Sequence, residues 1–194
     1  MPHVERPRLS GREPVLVTLK VREGLSSLRV RGLLRAVLGG LVAAKERFSV
    51  RLVQYSVQSD HVHLVAEAQS KHALSRAMKG LAVRLARAIN RALGRKGTVF
   101  AERYHERVLT SPRQVRNALA YVLCNGKKHG HAPARAGWLD PCSSAASFDG
   151  WSRKILAAHG PRLSEPRTWL LRVGWRKGGL LDPDHLPGSM PAPS

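Results

Sequence analysis

The chain has 194 residues, 43% of them hydrophobic, enough to bury one real core and too many for a disordered segment. Its 33 Lys and Arg against 13 Asp and Glu leave a formal charge of +20 and a pI near 11.5, which favours a polyanionic partner, nucleic acid first. No apolar run approaches the roughly 20 residues needed to cross a bilayer, and MPHVERPRLSGREP lacks a signal-peptide core, so a cytoplasmic, nucleoid-associated protein with no membrane partner is expected.

Residues 1–13 read as a basic leader. From Pro14, PVLVTLKVREG alternates Val15, Val17, Leu19 and Val21 against Leu16, Thr18, Lys20 and Arg22, the two-residue period of a strand ending at Gly24. SSLRVRGLLRAVLGGLVAAKERF follows, with Leu28, Leu33, Leu34, Val37 and Leu41 at helical spacing and Gly39 and Gly40 weakening the helix. FSVRLVQYSVQ is a second strand, and the short turn QSDH leads into a third, SDHVHLVAEA, so the pair forms an antiparallel hairpin. On the third strand His61 and His63 share one face and Val62 and Leu64 the other. Two histidines so placed are either ordinary residues of a half-exposed face or two ligands of a metal whose third ligand comes from elsewhere.

HALSRAMKGLAVRLARAINRAL predicts a long helix with Leu74, Met78, Leu81, Leu85 and Ile89 on one stripe. Arg76, Lys79, Arg84, Arg87 and Arg91 fall on the opposite arc with no acidic residue among them, which makes the arc a solvated face or a phosphate-contacting one. GTVFAERYHERVLTS reads as a strand. Ser111, Pro112 and Gln114 then announce a helix, by N-cap, first-turn proline and capping box. It carries Val115, Leu119 and Val122 inward and is expected to stop near Asn125, with Gly126 in the left-handed position and Lys127 and Lys128 at the negative end of the dipole, available to phosphate.

The order βαββαβα predicts an α+β fold: a ferredoxin-like split βαβ antiparallel sheet with two helices on one face and an additional Tyr-bearing helix. The catalytic-type domain spans 14–130. Residues 131–182, with Trp138, Trp151, Trp169 and Trp175, form a C-terminal extension docking on it, and 183–194 a disordered tail. Cys124 and Cys142 have no Cys-x-x-Cys spacing, which argues against a zinc ribbon and a disulfide scaffold.

On the last helix Tyr121 and Asn125 lie four apart, one above the other. Asn125 could complete a metal site and Tyr121 could be a nucleophile; a tyrosine at a helix edge is more often a packing residue. SDHVHLV, with its His-hydrophobic-His strand, and YVLCNGKKHG, with Tyr, Asn and a basic glycine-punctuated turn, resemble the HUH single-strand endonucleases, and within them the single-tyrosine transposases of the REP-associated type. VTLKVREG and FAERYHERVLTS are also similar to family segments, so the resemblance covers roughly residues 10–150.

The resemblance implies a metal-dependent endonuclease and strand transferase that cuts single-stranded DNA beside a hairpin. His61 and His63 would hold a divalent ion, Mg²⁺ or Mn²⁺, with Asn125 as third ligand by positional match, and Tyr121 would form a 5′-phosphotyrosine intermediate. Asp60 stands where relatives commonly carry Asn, either supplementing the metal site or, as favoured here, capping the turn. His105, Tyr104 and Glu67 are rivals for the ligand and nucleophile roles. The alternative function is a basic RRM-like module that binds structured DNA or RNA without chemistry. A zinc hydrolase lacks its His-Glu-x-x-His. Neither a monomer nor a homodimer is favoured.

Overall fold

A computed structural model describes residues 9–133, 136–155, 160–186 and 188. The alternation of the first segment becomes β1 (Pro14–Lys20), whose Val15, Val17 and Leu19 enter one apolar cluster while Leu16 enters another on the opposite side. β1 ends earlier than expected: Val21 keeps its inward place but forms only an isolated bridge to Phe100. α1 (Arg31–Ala44) follows. A two-residue strand, β2 (Glu46–Arg47), is an element the sequence pattern did not announce; Phe48 and Ser49, at φ 52° and 58°, turn the chain from it into β3 (Val50–Val57). Positive φ at both central residues is the backbone a tight hairpin requires.

β4 (His61–Ala68) completes the expected hairpin, pairing antiparallel with β3 and, on its other edge, with β1. α2 (Lys71–Ala92) is capped by Ser70, whose hydroxyl accepts the Ala73 N–H at 3.1 Å. Of the long segment read as the next strand, only β5 (His105–Val108) is regular, and it pairs with the outer edge of β1. The antiparallel order β2-β3-β4-β1-β5 interleaves the two βαβ units, the ferredoxin-like arrangement.

α1 and α2 cover the sheet face that carries Val62, Leu64 and Ala66, and all five stripe residues of α2 are buried there. Gly40 does not break α1. An added Cβ would lie 2.6 Å from the Leu85 Cδ2, so this glycine leaves room for a side chain of α2.

α3 (Pro112–Lys128) crosses the other face and packs on Leu16, Val53 and Val65. Its start is as expected, with Ser111 accepting the Gln114 N–H and Gln114 accepting the Thr110 N–H at 2.7 Å. Its end is not. Gly126 is helical and buried, and the left-handed residue is Gly130, at φ 71°. Gly130 N–H donates to Lys127 O and His131 N–H to Gly126 O, the paired bonds of a Schellman turn. Gly126 serves instead a close approach: an added Cβ would overlap the carboxylate of Asp140.

The extension docks on the α3 side, where Phe148, Leu170, Leu171, Trp175 and Leu181 join the second cluster through a 3₁₀ turn (Ser144–Ser147), α4 (Trp169–Arg172) and a second 3₁₀ turn (Gly174–Gly178). Trp138 and Trp175 are buried, whereas Trp169 stays half exposed. The tail begins in order: Asp184 accepts from Lys127 Nζ at 2.9 Å and the Gly137 N–H at 2.7 Å, and pairs with Arg153. Residues 1–8 of the leader and 187 and 189–194 of the tail lie outside the described residues.

Candidate active site

Cross-strand register and one helix assemble the site. Ser56, His63, Thr18 and His105 form one row across β3, β4, β1 and β5, and Lys20 faces His61 in the next. His63 is buried, with its Nδ1 2.9 Å from the Thr18 hydroxyl and its Nε2 without a partner among the described residues. His61, ring centroid 4.5 Å away, has its Nδ1 2.7 Å from the Asp60 carboxylate. A carboxylate only accepts, so that bond places the proton on Nδ1 of His61 and the lone pair on Nε2. Asp60 thus orients an imidazole rather than merely capping the turn. Burial opposes its charge, but the hydrogen bond and charge of His61 hold its carboxyl below the usual range.

α3 brings Tyr121 over this pair, its ring edge-on to His63 at 5.0 Å between centroids. Burial raises the Tyr121 hydroxyl above its ordinary value. Lys128 stands over the same ring, its Nζ 5.4 Å from the centroid. One turn beyond Tyr121, Asn125 is fully buried, and neither its amide oxygen nor its amide nitrogen has a partner among the described residues.

The unpartnered atoms of this cluster are what a divalent ion would need to find there. Buried polar atoms without partners are rare, and here three of them fall on His63 and Asn125. Both imidazoles have Nδ1 engaged; where that nitrogen donates, as His61 does to Asp60, Nε2 is left free to ligate. Among the described residues no group of three His, Cys, Asp and Glu side chains is disposed to hold a metal. Burial, then repulsion from His61 and His129, drops His63 to about 3, so it stays neutral at physiological pH, the form that ligates.

The rivals are placed elsewhere. Tyr104 packs against the α1/α2 cluster on the far side of the sheet. His105 shares the site's row but lies two strands from His63 and bonds to Glu102 at 2.7 Å. Glu67 is buried and fully occupied: it pairs with Arg51 at 3.1 Å and accepts the N–H groups of Arg167 and Thr168, anchoring the extension.

Of the expected phosphate-contacting cations, Lys128 is exposed beside Tyr121, but Lys127 is not available; it is drawn onto Asp184 and the Pro183 carbonyl. Arg76, Lys79, Arg87 and Arg91 are exposed and Arg84 half-buried, all on the helix layer opposite His61 and Tyr121, and Arg76 stacks 4.6 Å over the Phe48 ring. Three features had no signal in the sequence pattern. Thr18 becomes a partner of His63 only through strand register. His129, ring centroid 5.7 Å from His61, arrives through the Schellman turn; burial, with the charge of His61, lowers it. Arg29 makes a bidentate pair with buried Asp140 at 2.8 and 2.9 Å and donates to Val57 O, tying the segment before α1, the end of β3 and the segment after α3 together.

Residues 15–123 match the family described as "Transposase IS200 like". A solved structure of the REP-associated tyrosine transposase bound to a REP hairpin is similar in fold, with a TM-score of 0.57 at 16% identity over 85% of this chain and 100% of that one. No curated protein matches the chain. No described helix is long and apolar enough to cross a membrane.

Proposed function

This chain belongs to the IS200-like transposase family, and from that premise we propose that it cuts and rejoins single-stranded DNA beside a hairpin through a covalent bond to Tyr121. The observation that carries the reading is the contact of Tyr121 with His63, whose buried Nε2 has no partner among the described residues.

Tyr121 begins protonated, because burial holds its hydroxyl above the ordinary value near 10. Its oxygen bonds to the scissile phosphorus as the bond from phosphorus to the 3′-oxygen breaks, and the 3′-oxygen leaves with the proton as a hydroxyl. A 5′-phosphotyrosine remains, and attack by a 3′-hydroxyl reverses the exchange without loss of bond energy. Lys128, beside the ring, favours the negative charge that develops on the phenol. His61, His63 and Asn125 would hold a divalent ion, which when bound supplies a Lewis acid that neutralises the phosphate. Imidazole is a softer ligand than Mg²⁺ prefers, so Mn²⁺ should support the reaction at least as well.

The test is incubation of the protein with a hairpin-bearing single-stranded oligonucleotide and Mg²⁺ or Mn²⁺, followed by a denaturing gel. A covalent protein-DNA band that requires metal and vanishes in Tyr121→Phe is expected. Binding without any adduct would leave the RRM-like reading standing, and an adduct surviving in Tyr121→Phe would move the nucleophile elsewhere.

A further inference from the structure

A second concavity on the α3 side plays no part in the chemistry above. A cleft of about 440 Å³ opens between Gln54 of β3, Leu119 of α3 and the C-terminal extension, with Phe148 and Trp175 in its wall. Four arginines line it, and they are not equivalent. Arg162 is neutralised by Glu165 at 2.6 Å, and Arg176 by Asp149 at 3.1 Å while stacking 4.8 Å over the Trp175 ring. Arg167 and Arg172 have no ion pair among the described residues, although the charge of Arg167 reaches the Glu46 carboxyl and helps to lower it, so both guanidinium groups keep their hydrogen-bonding forks open to a ligand.

The site is built rather than incidental. The backbone of Arg167 is fixed where buried Glu67 accepts its N–H at 2.9 Å and that of Thr168 at 2.7 Å, and Arg51 already balances the Glu67 charge. Arg172 is the last residue of α4, the turn that Thr168 caps. Opposite them, Gln54 accepts the Ser144 hydroxyl at 2.5 Å through its amide oxygen, which orients the side chain and leaves the amide nitrogen without a partner among the described residues.

We propose that this cleft binds one unpaired nucleotide of the DNA strand, its phosphate held by Arg167 and Arg172 and its base edge met by the Gln54 amide. Paired guanidinium forks suit a phosphate, and an amide suits a base edge. The volume falls in the range of small-molecule sites and excludes a duplex. The arginines lie beyond residues 15–123, outside the part of the chain that matches the transposase family. The inference rests on the reading that the chain handles single-stranded DNA.

Anisotropy titrations would compare a hairpin oligonucleotide carrying short unpaired flanks with the same stem-loop without them, using the full chain and its Arg167→Ala/Arg172→Ala variant. The wild-type chain should prefer the flanked DNA. The double variant should lose roughly ten- to a hundredfold on flanked DNA, as expected for charge-assisted hydrogen bonds, and nothing on the bare stem-loop. Its salt slope on flanked DNA should fall by about 1.4, two single-strand contacts at about 0.7 each. Gln54→Ala should weaken flanked DNA alone. Equal losses on both DNAs, or none, overturn the proposal. If the variant keeps the flank preference while Tyr121 still forms its adduct, the cleft is refuted and the strand-transfer reading stands. If the preference vanishes but the wild type never forms an adduct, the cleft stands and the chemistry falls.

Discussion

Two adjacent residues of β4 show how differently the two faces of the sheet are made. Leu64 points into the α1/α2 layer, where apolar residues meet at regular helical and strand periods. His63 points toward α3, where a buried ring nitrogen and a buried carboxamide have no partner among the described residues. The first face gains stability from burial. The second holds unsatisfied polar groups at a cost in stability, the departure from folding rules that marks a functional site.

The sharpest way to break this comparison is to truncate each residue in turn. His63→Ala should lower adduct formation at least about a hundredfold while the fold survives, because it removes a proposed ligand. Leu64→Ala should instead cost about 2–5 kcal/mol of stability and leave the folded fraction able to react. Urea melts and single-turnover assays on both variants read the two effects separately. With metal chelated, His63 also makes the fold acid-sensitive. The folded chain holds His63 neutral down to about 3, whereas the unfolded chain protonates it near 6.5. Between those values the unfolded state binds more protons, so stability falls as pH falls, by at most about 1 kcal/mol or slightly more per pH unit. His63→Gln should flatten that slope.

A second contrast pits two helical glycines against each other. Gly126→Ala would push a Cβ to 2.7 Å from Cγ and 3.0 Å from Cβ of Asp140, so the whole carboxylate must move and its pair with Arg29 must open. Loss of about 3 kcal/mol is expected, in line with breaking a buried ion pair. Gly40→Ala meets only the terminal methyl of Leu85, which can rotate, and gains helix propensity of about 1 kcal/mol. Thermal melts should show a large destabilisation for the first and almost none for the second.

Asn125→Leu sharpens the same comparison from the opposite direction. It replaces two unpartnered buried atoms with apolar ones of similar size, so the metal-free chain should gain about 1–3 kcal/mol. Metal binding, followed by calorimetry, should weaken. If the variant is less stable without metal, Asn125 has a structural partner and the ligand assignment fails.

The α1/α2 face was legible in the sequence because its forces are periodic. Val15, Val17, Leu19 and Val21 on one side, and the α2 stripe from Leu74 to Ile89, go where a period of two or 3.6 puts them. The site was legible only in part. His61 and His63, and Tyr121 and Asn125, are close in sequence within their own elements, so local geometry pairs them, while their proposed roles come from the family resemblance. What surrounds them is long-range: Thr18 meets His63 across a strand pair, Asp140 reaches Gly126 from a loop, and Glu67 holds Arg167 a hundred residues away. The Gly126 error has the same root. A glycine after a helical stretch suits a left-handed cap or a close contact equally well, and only the position of Asp140 decides.

The smallest effect is expected from the α2 arc, and it tests how far the two faces act independently. Arg87 is exposed on the layer opposite Tyr121, with no acidic residue in the arc beside it. If it touches a phosphate, Arg87→Ala should reduce the salt slope of DNA binding by about 0.7 to 0.9 and weaken binding a few-fold at physiological salt. The rate of adduct formation at saturating DNA should not change, because the sheet separates this helix from the reacting atoms. An unaltered slope would make the arc a solvated face. A slower rate at saturation would mean that the DNA must wrap from α2 around the sheet edge to be cut, and the division of labour between the faces would no longer hold.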